Sequence, residues 1–224
     1  KPVVLVLING RPLSIRWAAE NIKGIIEAWI PGEAGGEAIA DIIFGDYNPS
    51  GRLTVTIPRH SGQLPVYYNY MPDKEYWITK GWGKPYADMS PLPLWEFGYG
   101  LSYTTYEYSD LEIEPEISGP MGEFKVAATV ANKGNRKGSE VVQLYVRDLK
   151  SSVTSPVKEL KGFEKVMLEP GESRKVEFIL NHDDLALYNQ NMKWVVEPGD
   201  FSVMVGASSG DIRLTGRITV EDKK

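Results

Sequence analysis

The 224-residue sequence contains no cysteine, so disulfides and thiolate metal sites are excluded while the compartment stays open. It has no uninterrupted apolar run of about 18 residues, so it offers no membrane-spanning helix. It also lacks blocks of like charge. The net charge of −5 is spread along the chain, which argues against nucleic acid or an anionic membrane as partner, since both need a clustered cationic face. Histidine is nearly absent: His60 and His182 stand alone, without ligand spacing, and no metal site is expected. No phosphate loop occurs, and Gly81-Trp82-Gly83 lacks the third glycine of a dinucleotide fingerprint, so no cofactor is expected either.

The chain opens on Lys1-Pro2 followed by Val3-Val4-Leu5-Val6-Leu7-Ile8, apolar on both faces, the pattern of a strand inside a parallel sheet. A signal peptide needs a longer apolar core and a small-residue cleavage site. Lys1 is therefore read as an internal point of a longer protein, whether a fragment, a nicked product or one chain of two. A turn at Asn9 to Pro12, a short helix over 15–21, an apolar strand over 24–30 and a helix over 33–44 follow. Ile39, Ile42 and Ile43 give that helix its apolar face, Glu33 and Glu37 sit near its positive end, and Gly45 suits the C′ position. Leu53 to Ile57 alternates like a third strand. This βαβ rhythm makes 1–60 a piece of an α/β layer.

Residues 61–107 lose all periodicity and mix Tyr67, Tyr68, Tyr70, Tyr76, Trp77, Trp82, Tyr86 and Trp95 with proline and glycine. We read this stretch as an ordered interdomain arm. From Tyr108 the pattern becomes all-β, with candidate strands at 111–113, 124–131, 141–146, 159–166, 174–180, 193–196, 201–205 and 212–220, and one helical turn within 183–188. Turn signals at Asn132-Lys133-Gly134, Glu169-Pro170-Gly171 and Glu197-Pro198-Gly199 separate them. Such spacing predicts a sandwich of immunoglobulin or fibronectin type III kind over 108–224.

Few residues invite a chemical role. Glu33 and Glu37 are explained by the helix dipole, and Asp46 in Gly-Asp-Tyr-Asn-Pro by a turn that bonds its own backbone. Glu75, in the aromatic arm, reads as solvated. Gly206-Ala207-Ser208-Ser209-Gly210 fits the G-x-S-x-G pattern, yet a strand follows it where a nucleophile elbow needs a helix; a hairpin turn is the expectation. Asn48-Pro49-Ser50 is barred from glycosylation by its proline. Aromatic rings stack on the C–H faces of pyranoses, so Tyr76, Trp77 and Trp82 are the candidate sugar contacts, against the simpler role of wedging two domains together.

Several stretches resemble the β-glucosidases of glycoside hydrolase family 3. KPVVLVLINGRPL (1–13) and AWIPGEAGGEAIADIIFGDYNPSG (28–51) are similar to that family's second, α/β domain. QLPVYYN (63–69) and WEFGYGLSYTT (95–105) resemble the segment leaving it. EVVQLYVRD (140–148), PVKELKGF (156–163) and VVEPGDFSVMVG (195–206) resemble its fibronectin III-like third domain. The resemblance implies a partial α/β sandwich layer followed by a fibronectin type III-like β-sandwich. It also implies an exo-acting, retaining β-glycosidase that removes terminal glucose from β-linked oligosaccharides or glycosides. Its two carboxylates, about 5 Å apart, would be an Asp nucleophile and a Glu acid/base. In the family the nucleophile lies on a first, barrel-like domain in a Ser-Asp-Trp-type motif, and the Glu precedes the KPVV strand. Neither is found here, so no residue of this chain is expected to be catalytic. The implied partners are the barrel domain and the rest of the α/β domain, in a periplasmic or secreted setting, with cytoplasmic placement and homo-oligomerisation left open. The competing reading is a non-catalytic carbohydrate-binding or structural β-sandwich; against it, the candidate strands show no evident solvent-facing aromatic platform.

Overall fold

A computed structural model describes residues 1–72, 86 and 88–222. The first strand, β1 (Val4–Ile8), pairs in parallel with β2 (Gly24–Trp29), joined by helix α1 (Arg16–Asn21). Helix α2 (Gly35–Phe44) follows and packs on β2. Its end is set by Gly45, left-handed at φ 85°, whose N–H reaches the carbonyls of Asp41 and Ile42. Of the two acids near its start, only Glu37 lies in the first turn; Glu33 precedes the helix.

The expected third strand at Leu53–Ile57 does not join this sheet. It forms a short antiparallel ribbon with the far end of the arm instead. Leu53 N–H donates to Tyr99 O (2.8 Å), Gly98 N–H to Leu53 O (2.7 Å), Ile57 N–H to Trp95 O (2.8 Å) and Leu94 N–H to Ile57 O (2.8 Å). The described α/β portion is thus a two-stranded parallel sheet with two helices. It leaves large apolar side chains in solvent, among them Ile8, Trp17, Ile30 (80% exposed) and Phe44 (82%).

The remainder is a two-sheet sandwich. One sheet has the order β4 (Ile117–Ser118), β12 (Asp211–Val220), β11 (Gly199–Ser208), β6 (Gly138–Asp148), β7 (Glu159–Leu168). The other has β3 (Tyr106–Glu114), β5 (Phe124–Asn132), β8 (Ser173–Leu180). Every second side chain points inward: Phe124, Val126, Ala128 and Val130 from β5; Val142, Leu144 and Val146 from β6; Phe201, Val203 and Val205 from β11. These meet Val166, Leu168, Val176, Leu180, Ile218 and Val220 in one dry core, the two-layer solution that period-two amphipathic strands dictate. Between β8 and β11 the chain makes the single-turn helix α3 (His182–Leu185) and a small hairpin, β9 (Leu187–Tyr188) with β10 (Trp194–Val195).

Candidate functional site

The described residues concentrate their buried polar chemistry where the arm lies across β6. On the outer face of that strand, Gln143 donates through Nε2 to Gly98 O (3.1 Å) and Ala207 O (2.6 Å), and its Oε1 accepts from Tyr145 Oη (2.6 Å). Tyr68 stacks on Phe97 (centroids 4.4 Å) and meets Tyr145 edge-on (5.9 Å), while its hydroxyl accepts from Leu160 N–H (3.1 Å). Ser209 N–H donates to Phe97 O (3.0 Å), and Val157 N–H to Tyr70 O (3.0 Å). Gly98 has to be glycine: its φ is +83°, and a Cβ there would lie 2.1 Å from Gln143 Oε1. The FGYGLSY stretch is therefore a glycine-dependent crossing fixed to the sandwich by side-chain amide, phenol and backbone groups.

One carboxylate among the described residues is buried. Glu140 accepts from Arg52 Nη2 (2.8 Å) and from Tyr108 Oη (2.9 Å), with 3% of its side chain and 9% of Arg52's exposed. Burial pushes its carboxyl above the usual range, opposed chiefly by the Arg52 guanidinium. The same burial, with the Glu140 charge, drives the Tyr108 phenol far upward. A carboxylate clamped by two donors and nearly closed to solvent cannot receive a substrate; it is a strut between the end of the α/β portion, through Arg52, and the sandwich. Nearby, Asn132 is fully buried and its side-chain amide makes four hydrogen bonds: Thr104 Oγ1 (2.6 Å) and Gly134 N–H (3.1 Å) donate to it, and it donates to Arg136 O (2.7 Å) and Leu168 O (3.1 Å).

Glu33, Glu37 and Asp46 are exposed on the α/β portion. Ser208 is the turn residue expected of a hairpin: β11 runs directly into antiparallel β12, and its hydroxyl accepts from Gly210 and Asp211 N–H (3.2 and 3.0 Å). His60 caps a short 3₁₀ turn by accepting from Gly62 N–H, and His182 pairs with Asp183 (3.2 Å). No group of three or more His, Cys, Asp or Glu positioned for a metal occurs among the described residues. Tyr76, Trp77, Trp82 and Glu75 lie outside the described residues. The arm residues leading to them line a groove of about 600 Å³ with Thr54–Thr56, Leu64–Asn69 and Phe97, on whose rim Tyr67 is exposed.

One pairing escaped sequence reasoning. Tyr188 was expected in a helical turn and Trp194 in a separate strand. The β9–β10 hairpin places them opposite each other, centroids 4.9 Å apart and both open to solvent. Two exposed aromatic rings thus meet on this hairpin, a pairing that only the Tyr188–Trp194 register produces.

Residues 1–103 match the glycosyl hydrolase family 3 C-terminal domain, and residues 140–209 match a fibronectin type III-like domain. A β-xylosidase of Formosa agariphila is 48% identical over 222 residues, covering 99% of this chain and 30% of that protein. A periplasmic β-glucosidase of Salmonella typhimurium is 43% identical over 220 residues, covering 95% of this chain and 28% of that protein. The solved structure of Listeria innocua β-glucosidase in complex with glucose superposes with a TM-score of 0.91 at 38% identity, over 98% of this chain and 31% of that one. This chain thus spans less than a third of each of these three proteins, and among its described residues no helix is long and apolar enough to cross a membrane. With both domains matched in order and the fold superposing throughout, the chain belongs to glycosyl hydrolase family 3, of which it carries the C-terminal α/β portion and the fibronectin type III-like sandwich.

Proposed function

We propose that this chain is the scaffold portion of a retaining exo-β-glycosidase of the β-glucosidase type, with both catalytic carboxylates on polypeptide outside these 224 residues. The observation that carries the reading is the uncovered α/β surface. Parallel sheets are normally buried on both faces, yet Ile8 on β1 is exposed, as are Ile30 just after β2, Trp17 on α1 and Phe44 on α2. Apolar surface of this kind marks an interface, and its occupant here is the remainder of the α/β domain with the barrel domain beyond it. The arm is held on the sandwich by Gln143 and Tyr68, and its Tyr76, Trp77 and Trp82 are the residues of this chain that we assign to sugar contact. Relatives named both β-glucosidase and β-xylosidase support a substrate ending in a β-linked neutral pyranose, here glucose. The periplasmic relative supports a periplasmic or secreted setting.

The test is an assay with 4-nitrophenyl β-glucoside and β-xyloside, using this chain alone and using it joined to, or mixed with, the preceding part of the enzyme. No turnover is expected from the chain alone, and glucoside hydrolysis with retention of configuration from the combined protein. Turnover by the isolated chain would overturn the assignment of the carboxylates. A combined protein inert on both glycosides would overturn the activity.

A further inference from the structure

The hairpin that pairs Tyr188 with Trp194 also forms one wall of a cavity of about 270 Å³ at the open flank of the sandwich. Its floor is the edge of the hydrophobic core, Val146, Leu185 and Phe201. Around the mouth stand Asp148, Asp184, Lys161 and Ser155, with Tyr188 (58% exposed) and Trp194 (44% exposed) on one side. This volume lies just below the range of about 300–1,000 Å³ that drug-sized ligands occupy, which fits one sugar ring better than a cofactor.

The walls are fixed before any ligand arrives. Trp194 Nε1 donates to Asp183 Oδ1 (3.2 Å), which orients the indole, and the hairpin turn is tied across the mouth by Gln190 Nε2 donating to Ser152 O (3.0 Å). The facing loop is held by Ser152 N–H donating to Glu197 (2.7 Å) and by Ser151 Oγ bonding Val153 O (2.7 Å) and Ser155 Oγ (3.0 Å). Asp148 accepts from Lys150 N–H (2.9 Å) through Oδ1, leaving Oδ2 for another donor. Partial burial, together with the Glu197 charge, raises its carboxyl above the usual range, against the lowering effect of the Lys150 N–H.

We infer that this cavity is a second, non-catalytic saccharide site, which takes one neutral pyranose residue of a β-linked glycan against the Tyr188–Trp194 pair. The aromatic faces cover the apolar C–H side of the ring. Sugar hydroxyls donate to Asp148, Asp184 and the oxygen of Ser155, whose own proton is taken by Ser151, and accept from Lys161, so both halves of the hydroxyl's hydrogen-bonding capacity are used. Neutral sugar is specified by charge: Asp148, Glu159 and Asp184 outnumber Lys161 at the mouth, which disfavours uronates and sugar phosphates. Such a site holds a chain end near the enzyme and raises its local concentration without taking part in bond cleavage.

The test uses the whole 224-residue chain, titrated with glucose, cellobiose, glucuronate and choline, and followed by calorimetry and by the tryptophan indole N–H signals in NMR spectra. Cellobiose and glucose should bind saturably in the millimolar range, glucuronate more weakly, and the indole signal that moves should be the one missing from Trp194→Ala. Trp194→Ala and Asp148→Asn should each weaken cellobiose binding about tenfold with the unfolding midpoint unchanged. If Trp194→Ala loses the fold, the isosteric Asp148→Asn, which keeps the bond from Lys150, decides alone. Absence of saturable sugar binding into the hundreds of millimolar, or binding indifferent to both substitutions, would overturn the site. So would choline binding more tightly than cellobiose, because two rings ringed by carboxylates would then be a cage for a quaternary ammonium.

Discussion

Removing Arg52 should make the stability of this protein fall with rising pH over a wider range than in the wild type. In Arg52→Met the stem is kept and the guanidinium lost, so Glu140 remains buried against β3 and β6 with Tyr108 as its main donor. Stripping one partner from a buried ion pair costs about 3–5 kcal/mol. Part of that loss is avoided if the carboxyl protonates. The unfolded carboxyl titrates at an ordinary value, whereas the folded one, already raised by burial, loses its chief opposing charge and rises further. The folded state then binds the proton more tightly, so stability is greatest below the unfolded value and falls as pH rises toward the folded one. Urea unfolding of the wild type and Arg52→Met between pH 4 and pH 8 measures it. The variant should lie close to the wild type at pH 4 and fall progressively below it, and Arg52→Met/Glu140→Leu should recover much of the loss at pH 8. A pH-independent difference, or one under about 1 kcal/mol at pH 8, would refute the buried-charge reasoning.

Other perturbations should separate the roles assigned above. Gly98→Ala forces a side chain into a left-handed backbone and against Gln143; it should cost at least about 1–2 kcal/mol in urea unfolding and increase protease cleavage in the arm. Asn132→Ala leaves Gly134 N–H, Thr104 Oγ1 and the carbonyls of Leu168 and Arg136 without their partner, and should lower stability by at least about 2 kcal/mol, read as a drop in the thermal midpoint. Leu144→Ala, in the centre of the sandwich, should cost about 2–5 kcal/mol through the cavity it leaves, and the whole sandwich should unfold as one unit.

The sandwich was legible because its strands obey period two. Phe124 to Val130, Val142 to Val146 and Phe201 to Val205 put every second side chain into the core, and the turns between them carry glycine or proline. The alternation of Leu53 to Ile57 was just as clear, but periodicity tells which face is apolar and not which neighbour supplies the backbone partners; those came from Leu94 to Tyr99. β4, β9 and β10, two residues each, are too short to show a period. The strut at Glu140 gave no local signal, because Arg52 is brought to it from the other side of the arm. Tyr188 and Trp194 were invisible as a pair for the same reason: their contact is a product of hairpin register.

The ribbon between Leu53–Ile57 and Leu94–Tyr99 closes the arm at its base, much as a drawstring closes a bag. Once the neck is tied, the length of chain in the loop matters little: doubling it adds only about 0.6 kcal/mol of closure entropy. Insertions and deletions between Tyr70 and Pro91, beyond the residues pinned by Tyr68, Tyr70 and Gln63, can thus accumulate while the neck and sandwich keep their register.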